Sequence, residues 1–361
     1  MLQGKQIMSK IATAIKKKLP KKPEHKTEKE KLDERREEIL SKGRKFKYPM
    51  QFAKHRLVFL TIAIAFIALI GVGVFGYVSL YKTQNTSDIL YRFTTVLPLP
   101  VAKIDGEPVR YSDYLMIYRS SITPVEQQNG TFSDNQTDAN SLRDYYKRTA
   151  LTDAEDYTYA IKLAKQMDIK VTDEMIDQAF DTHRKLGGVE RSREGFLKVI
   201  KDNFNLSEKE YRRMLYLSLV KEEVSKKIDT EATSKAERAL AQAKTANGDL
   251  KSVADRFGLE YEDTGGLIDV MNVDGGRSDV AYSMQPGTLS DILTSSNGDA
   301  YYIIYLKEKA ESKVNYVSIK IPFTELGKRL ENVREENRVE EYITIGEYSN
   351  SEVETIQSDD Q

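Results

Sequence analysis

The 361-residue sequence contains no cysteine and no tryptophan, and its only histidines are His25, His55 and His183. Without cysteine the chain forms no disulfide, thiolate zinc site, iron–sulfur cluster or cysteine nucleophile. Three scattered histidines do not make an imidazole cage, and we expect no metal and no cofactor. His183 falls on a polar helical stretch without a second ligand at helical spacing, so we expect it to be a surface residue.

Charge is absent from residues 57–81, which form the 25-residue run LVFLTIAIAFIALIGVGVFGYVSLY. About 20 apolar residues cross a bilayer core as a helix, so this run predicts a transmembrane span. Tyr81, at the end of the run, is suited to anchor the span at the membrane interface. A cleaved signal sequence has a shorter apolar region and a small-residue cleavage site, which this run lacks. Residues spaced along the predicted span are Leu57, Ile64, Leu69, Val74 and Tyr81.

The regions on either side of this run carry opposite charge. Residues 1–56 contain 18 basic and 7 acidic residues, a net of +11, whereas the residues after 81 contain 37 basic and 49 acidic, a net of −12. Basic residues remain on the cytoplasmic side, so we predict a single-pass plasma-membrane protein with a cytoplasmic N-terminus and extracytoplasmic C-terminal domains. The basic tail is expected to contact membrane lipids. It carries no pattern of a fold that reads bases, so we expect no nucleic-acid partner.

Residues 101–228 show a short hairpin followed by helical periodicity. Asp105 and Gly106 predict a tight turn between two short strands. Apolar residues around Tyr157 recur at helical spacing and predict a long amphipathic helix. Thr172 and Ser207 are predicted N-caps of later helices, and Ser207 begins a capping box.

These segments resemble a known family. The ordered series VAKIDGEPVRYSDYL, AKQMDIKVTDEMIDQAF and FLKVIKDNFNLSEKEYRRMLYLSLVKEEVSKKI is similar to the SurA N-terminal domain over residues 101–228. That family comprises extracytoplasmic chaperones of the SurA, PpiD and PrsA kind, whose helices form a cradle for unfolded clients. The resemblance implies unfolded or nascent exported polypeptides as partners. Tyrosine combines apolar area with a hydrogen-bonding tip, and the predicted peptide-binding residues are Tyr114, Tyr118, Tyr157, Tyr211 and Leu215.

The following region has a different pattern, with short helices and an Asn-Gly turn between apolar runs that predicts a hairpin. GDL at 248–250, GGL at 265–267 and PGTLS at 286–290 resemble motifs of the parvulin-type (PpiC-like) peptidyl-prolyl isomerase domain, which often follows the SurA N-terminal domain. We therefore predict a small α+β domain of this kind.

The positions that carry catalysis in the parvulin-type family are not matched. Residues 314–321 predict a strand. If this strand takes the place of the family's first strand, Ser318 stands at the position of the first family histidine. Tyr302 stands at the position of the second family histidine. Glu260 stands near the family's Cys or Asp, while Asp274 and Arg277 replace the Met and Phe of the proline pocket. Charged side chains do not form an apolar pocket for a twisted imide, so we predict a degenerate domain without full isomerase activity.

The C-terminal part predicts a charged helix within residues 323–342, which packs back on the helical domain. Residues 349–361 are polar and acidic, a composition typical of disorder. The predicted apolar stripe of the helix is Leu326, Leu330, Val333 and Val339.

The predicted fold class is α+β, with one N-terminal transmembrane helix, a mostly helical SurA-like domain and a small degenerate parvulin-like domain. The predicted organisation is a basic tail at 1–56, a span at 57–81, a linker at 82–97, the helical domain at 98–230, the parvulin-like domain at 231–325 and a C-terminal helix with an acidic tail at 326–361. The predicted function is ATP-independent binding of unfolded exported polypeptides, close to the export machinery. Two alternatives stay open: an active peptidyl-prolyl cis–trans isomerase, and a structural adaptor for one membrane or envelope partner.

Overall fold

The computed structural model describes residues 27–47, 49–129, 137–185, 189–270, 272, 274–296 and 298–346. The chain divides into two compact units, Met1–Phe75 and Gly76–Gln361. The predicted disorder of residues 349–361 and the first 26 residues of the basic tail lie outside the described residues.

The first unit begins with a charged helix, α1, Glu28–Lys47. Its apolar side chains Leu32 and Ile39 are exposed, so the helix has no buried face where its side chains are described. Glu38 and Lys42 form an ion pair of 2.7 Å at i,i+4 spacing, a contact that supports a solvated helix.

The next helix, α2, Pro49–Tyr77, continues into a π-helical segment, Val78–Lys82. Within the described residues, the stretch His55–Lys82 is the one helix long and apolar enough to cross a membrane, by length and composition. Its exposed apolar side chains include the predicted span residues Leu57, Ile64, Leu69 and Val74.

The π-helical segment belongs to the core of the second unit. Leu80 is fully buried, and its carbonyl oxygen accepts a hydrogen bond of 2.7 Å from the Tyr111 hydroxyl. The Tyr81 hydroxyl donates to the carbonyl oxygen of Pro100 at 2.7 Å, and its ring lies edge-on to Tyr111. The prediction of Tyr81 as a membrane-interface anchor is therefore corrected, because both ends of its side chain are held by protein.

The predicted linker at 82–97 is also partly structured. Helix α3, Asp88–Val96, has alternate apolar and polar faces and buries Leu90 and Thr94 in the second unit. Its short length and the polar residues before it hide this amphipathic pattern in the sequence.

The rest of the second unit consists of two modules, which we call the helical module (residues 76–229 and 324–346) and the sheet module (residues 230–323). In the helical module a short hairpin is followed by five helices, among the described residues. These elements are β1 (Pro100–Ile104), β2 (Glu107–Arg110), α4 (Tyr111–Asn129), α5 (Thr137–Gln166), α6 (Asp173–Arg184), α7 (Arg193–Phe204) and α8 (Glu208–Ile228).

Local signals place these elements as predicted. Asp105 and Gly106 form the β1–β2 turn with φ of 46° and 88°, a conformation that favours Asp and Gly at these positions. The Thr172 side chain caps α6 by accepting from the amide of Met175. Ser207 and Glu210 form a complete capping box at α8. These predictions are confirmed.

The sheet module packs two helices against an antiparallel sheet with strand order β3-β7-β6-β5, to which β4 adds by pairing with β7. Its elements are α9 (Thr230–Thr245), α10 (Leu250–Phe257), β3 (Glu260–Asp263), β4 (Ile268–Asp269), α11 (Arg277–Ser283), β5 (Leu293–Thr294), β6 (Ala300–Ala310) and β7 (Lys313–Pro322). The prediction of mixed helices and strands is confirmed, and β7 contains the predicted strand at 314–321.

Small residues allow close packing in this module. Helix α9 buries alanines at helical spacing, including Ala232, Ala236 and Ala239, so its backbone lies close to the sheet. Gly248 has a φ of 85°, and a Cβ atom there would lie 2.4 Å from the ring of Tyr305. The turn before α10 therefore requires glycine.

After the sheet module the chain returns to the helical module. Helix α12, Glu325–Glu335, buries Leu326, Leu330 and Val333 in the helical core, which confirms the predicted packing of this helix. The helix ends before Val339, contrary to the prediction, and the next residues form a strand, β8 (Val339–Glu341).

Strand β8 extends the β1–β2 hairpin to three strands in the order β2-β1-β8. Val339 lies opposite Ile104, and Glu341 lies opposite Ala102. The spacing of Val339 fits a helix, but β1 has an unpaired edge at this place. Pairing with that edge satisfies the backbone hydrogen-bonding groups of residues 339–341, so they form a strand.

One carboxylate joins the entry and exit of the sheet module. Asp229 is 2 % exposed, and its Oδ1 accepts from the amide of Ala232 at 3.0 Å. Its Oδ2 accepts from the amides of Thr324 at 2.7 Å and Glu325 at 3.2 Å. A single side chain therefore holds the first turns of α9 and α12 together.

A second buried carboxylate lies where α5 meets the C-terminal segment. Glu155 is 2 % exposed, and its Oε1 has no hydrogen-bond partner among the described residues. The nearest cation is Arg334, at 3.7 Å from Oε2. Burial, followed by repulsion from Glu341, raises the pKa of Glu155 to about 7.

Candidate functional site

The first candidate site consists of the positions that resemble parvulin catalytic residues. Ser318 on β7 and Tyr302 on β6 lie on neighbouring strands, with Ser318 opposite Ile304. Arg277 joins them: its Nη1 donates to the Ser318 Oγ at 3.0 Å, and its guanidinium lies 4.6 Å from the centre of the Tyr302 ring. The structure therefore brings together Ser318 and Tyr302, but with Arg277 between them.

Glu260 does not take part in this cluster. It lies at the start of β3 opposite Lys320, and its side chain is exposed. Glu262, two residues later on the same face, lies opposite Ser318 and forms an ion pair with Arg277. The alternation of strand residues is the signal that would have found Glu262, once β3 is known to pair with β7.

The other predicted pocket residue, Asp274, is held by a buried hydrogen-bond network. Its carboxylate accepts from the amide of Ser278 at 3.0 Å, from the Ser278 hydroxyl and from the Tyr316 hydroxyl at 2.5 Å. The backbone carbonyl of Asp274 accepts from the Nε of Arg277 at 2.7 Å. Ser278 and Tyr316 were not identified from the sequence, because isolated hydroxyls carry no motif.

The ionisation of the cluster is fixed rather than poised for proton transfer. Burial lowers the pKa of Arg277, but the hydrogen bond with Glu262, together with the charge of Glu262 and the nearby Tyr316 and Tyr302, outweighs burial and raises the pKa above its usual value. Burial, followed by the hydrogen bond to Asp274, raises the pKa of Tyr316. Burial also raises the pKa of Tyr302. At neutral pH the cluster therefore holds a guanidinium and neutral phenols.

The second candidate site is a cleft of about 580 Å³ between the two modules, which we call the inter-module cleft. Helices α6 and α8 form one wall, and α11, β5 and the loop before α11 form the other. Its apolar lining residues are Met175, Ala179, Leu215, Leu219, Val270, Val280 and Leu293. Thirteen polar residues also line the cleft, among them His183, Asp274, Arg277 and Tyr302. The surface exposed to the cleft is nevertheless mostly apolar, which suits a ligand with apolar groups that several polar contacts orient.

The prediction that His183 is a surface residue is corrected. It is half-buried and lines the inter-module cleft, and its Nδ1 lies 2.6 Å from the Tyr211 hydroxyl. Burial lowers the pKa of His183 below its usual value, so the ring is neutral at pH 7. Tyr211 in turn packs edge-on against Phe180 and Phe196. His183 therefore lines the cleft and is held from behind by an aromatic cluster.

The predicted peptide-binding residues are mostly core residues. Tyr114 and Tyr118 are buried in the helical core, because both face inward from α4, and this corrects their assignment to a binding surface. Leu215 is also largely buried, but its edge lines the inter-module cleft. Tyr157 and Tyr211 are half-buried. Leu219 and Val280 were missed, since neither stands out from other apolar residues in the sequence.

The part of the chain that the structure describes also lacks a cluster of side chains for a metal site. No three His, Asp or Glu side chains there are placed to hold one ion.

The helical module and the small sheet module together enclose a partly apolar cleft. Residues 50–225, just under half of the chain, match the family model of the SurA-like N-terminal domain. This match supports a SurA-like family for the chain, and it is consistent with a chaperone-type folding factor. Comparison with curated proteins gives no match.

Proposed function

We propose that the protein is a membrane-anchored extracytoplasmic folding factor that holds unfolded exported polypeptides without ATP. The observation that carries this proposal is the inter-module cleft, whose volume of about 580 Å³ accommodates a few side chains of an extended chain. Apolar residues from both modules line it, so an unfolded segment gains free energy by transferring its own apolar side chains out of water.

The proposed anchor is helix α2. Its exposed apolar side chains would be costly in water and favourable in lipid, and its length suits a bilayer. The net charge of +11 before the span and −12 after it supports a cytoplasmic N-terminus and an extracytoplasmic second unit in the plasma membrane. The basic tail would contact membrane lipids, and anchoring would keep the cleft at high local concentration near polypeptides leaving the export machinery.

We further propose that the sheet module is a degenerate parvulin-like domain kept for its shape and for its wall of the cleft. The charged Arg277 fills the position where the related isomerases have an apolar pocket, and its hydrogen bonds are already satisfied. An active isomerase is the alternative. Catalysis of proline-limited refolding by the full chain, above the rate with bovine serum albumin, would establish that alternative.

The central test measures aggregation of a chemically unfolded client diluted into buffer with the full chain in nanodiscs. We expect suppression without nucleotide, and loss of at least half of it in the double variant Leu219→Arg/Val280→Arg, which places two charges in the cleft. Ile89→Arg/Val96→Arg is the matched control, because both residues are exposed on α3 outside the cleft. Equal loss in both variants, or none in either, would contradict the assignment.

Crosslinking in cells separates the chaperone from the adaptor. A photoreactive amino acid at Gln178, which lines the inter-module cleft, should capture many different exported polypeptides. Capture of a single stoichiometric partner would instead support a structural adaptor for one membrane or envelope protein.

A further inference from the structure

The helical module has another cleft, of about 540 Å³, which shares no lining residue with the inter-module cleft. It lies among α3, α4, the start of α6 and the beginning of α8, and we call it the basic cleft. Its described lining contains seven basic side chains and four acidic ones. This excess stands out because the residues after 81 have a net charge of −12.

Two arginines neutralise most of the acidic residues in the basic cleft. Arg119 is buried and lies 3.1 Å from carboxylate oxygens of both Asp88 and Glu210. Arg213 holds Asp113 with two hydrogen bonds of 3.1 and 2.7 Å. Three of the four carboxylates therefore already have cationic partners and contribute little negative potential to the opening.

The remaining cations include three without partners. Arg92, Arg110 and Lys209 are exposed, and their side chains make no hydrogen bond or ion pair with any residue that the structure describes. The two arginines each present planar N–H donors that match a carboxylate in two-point geometry. Below them, the cleft is lined by the apolar side chains of Met116 and Ile176.

We propose that the basic cleft binds acidic segments of unfolded polypeptides. Charge complementarity selects the ligand: carboxylates would pair with the three unpartnered cations, while the aliphatic parts of the segment contact the apolar floor. The net charge of −12 after residue 81 disfavours such a segment elsewhere, so electrostatic attraction favours this cleft. A bilayer surface is flat and does not enter a recess of this kind, which favours a polypeptide over a lipid headgroup. The inference rests on the proposed function in one respect, namely that the acidic segments come from unfolded polypeptides.

The test measures direct binding to the full chain in phosphatidylcholine nanodiscs. The probe is a fluorescein-labelled 12-residue peptide of Glu, Ser and Gly, and the comparison peptide has Gln in place of every Glu. We expect fluorescence anisotropy to show salt-dependent binding of the acidic peptide alone. The triple variant Arg92→Glu/Arg110→Glu/Lys209→Glu should weaken this binding at least tenfold.

The matched control has the same change in net charge at exposed sites outside both clefts, Lys227→Glu/Lys244→Glu/Arg329→Glu. It should bind the acidic peptide within threefold of the unmodified protein, and circular dichroism should show equal thermal stability for both variants. Equal losses of peptide binding in the two variants would overturn the proposal, and so would equal binding of the Gln peptide. Binding of the acidic peptide only when the chain is held in phosphatidylserine nanodiscs would also overturn it. Because client aggregation is measured separately, with variants of the inter-module cleft, failure here leaves the proposed function unaffected, and the reverse also holds.

Discussion

Two buried carboxylates of the second unit, one in each module, are held in opposite ways. The sheet module surrounds Asp274 with donors from Ser278 and Tyr316. The helical module instead buries Glu155 with one oxygen unpartnered among the described residues. A satisfied network stabilises one arrangement of the chain even where it performs no chemistry, whereas an unpartnered carboxylate costs free energy and makes stability depend on pH.

The largest effect is expected from breaking the network of the sheet module. Asp274→Ala leaves the hydroxyls of Ser278 and Tyr316 without an acceptor in the core, and should lower the free energy of unfolding by about 4 kcal/mol. Urea denaturation of the full chain in detergent measures this change. Asp255→Ala removes an exposed ion pair with Lys251 and should cost less than about 1 kcal/mol. Equal effects of the two variants would show that the network is not the source of stability.

The next largest effect concerns the apolar core that the C-terminal segment completes. Leu330→Ala removes a buried side chain of α12 and should cost about 3 kcal/mol through lost burial and the remaining cavity. Hydrogen exchange should show increased opening of α5 and α8 and unchanged protection of β6 and β7. Uniform loss of protection would mean that the modules unfold as one cooperative unit.

Glu155→Gln tests the unpartnered carboxylate. The pKa is about 7 in the folded state against an ordinary 4.5, so folding favours the protonated form. The contribution of Glu155 to the free energy of unfolding should therefore be largest below pH 4.5, fall as pH rises towards 7 and stay low above it. The variant should lose this dependence and be more stable by about 2 kcal/mol at pH 8, since each pKa unit corresponds to about 1.4 kcal/mol and the amide recovers part of the total.

The control for this experiment is Glu260→Gln, since Glu260 is exposed on β3. Its pH profile of stability should match that of the unmodified protein. A Glu155→Gln profile that also remains parallel to the unmodified one would contradict the assignment of the titration to Glu155.

The smallest effect is expected at the capping box. Ser207→Ala removes the acceptor for the amide of Glu210 and should cost about 1 kcal/mol. Ser207→Asp retains an acceptor at this position and should restore most of the loss, as measured by thermal unfolding. No difference between the Ala and Asp variants would show that the cap is not formed in solution.

The sequence was most informative where structure is set by neighbouring residues. The Asp105–Gly106 turn and the caps at Thr172 and Ser207 depend on local backbone geometry, and each was predicted correctly. Helical spacing also identified the long helix α5, because its apolar face repeats over many turns.

Contacts between distant segments were not predictable in the same way. Val339 fits a helical stripe, but pairing with β1 decides its conformation. Tyr114 has the composition of a binding residue, but the packing of α4 buries it. The sequence pointed to Ser318 and Tyr302, but the contact that joins them through Arg277 depends on three strands and a helix meeting, which no local pattern encodes.

The pairing of β8 with β1 also has a consequence for synthesis of the chain. Ile104 leaves the ribosome long before Val339, its partner across the strand pair, and the whole sheet module is translated between them. The sheet module can fold while the core of the helical module still lacks α12 and β8. Until then the helical core exposes apolar surface, so a nascent chain stalled before residue 326 should be recognised by chaperones and proteases even though its sheet module is folded.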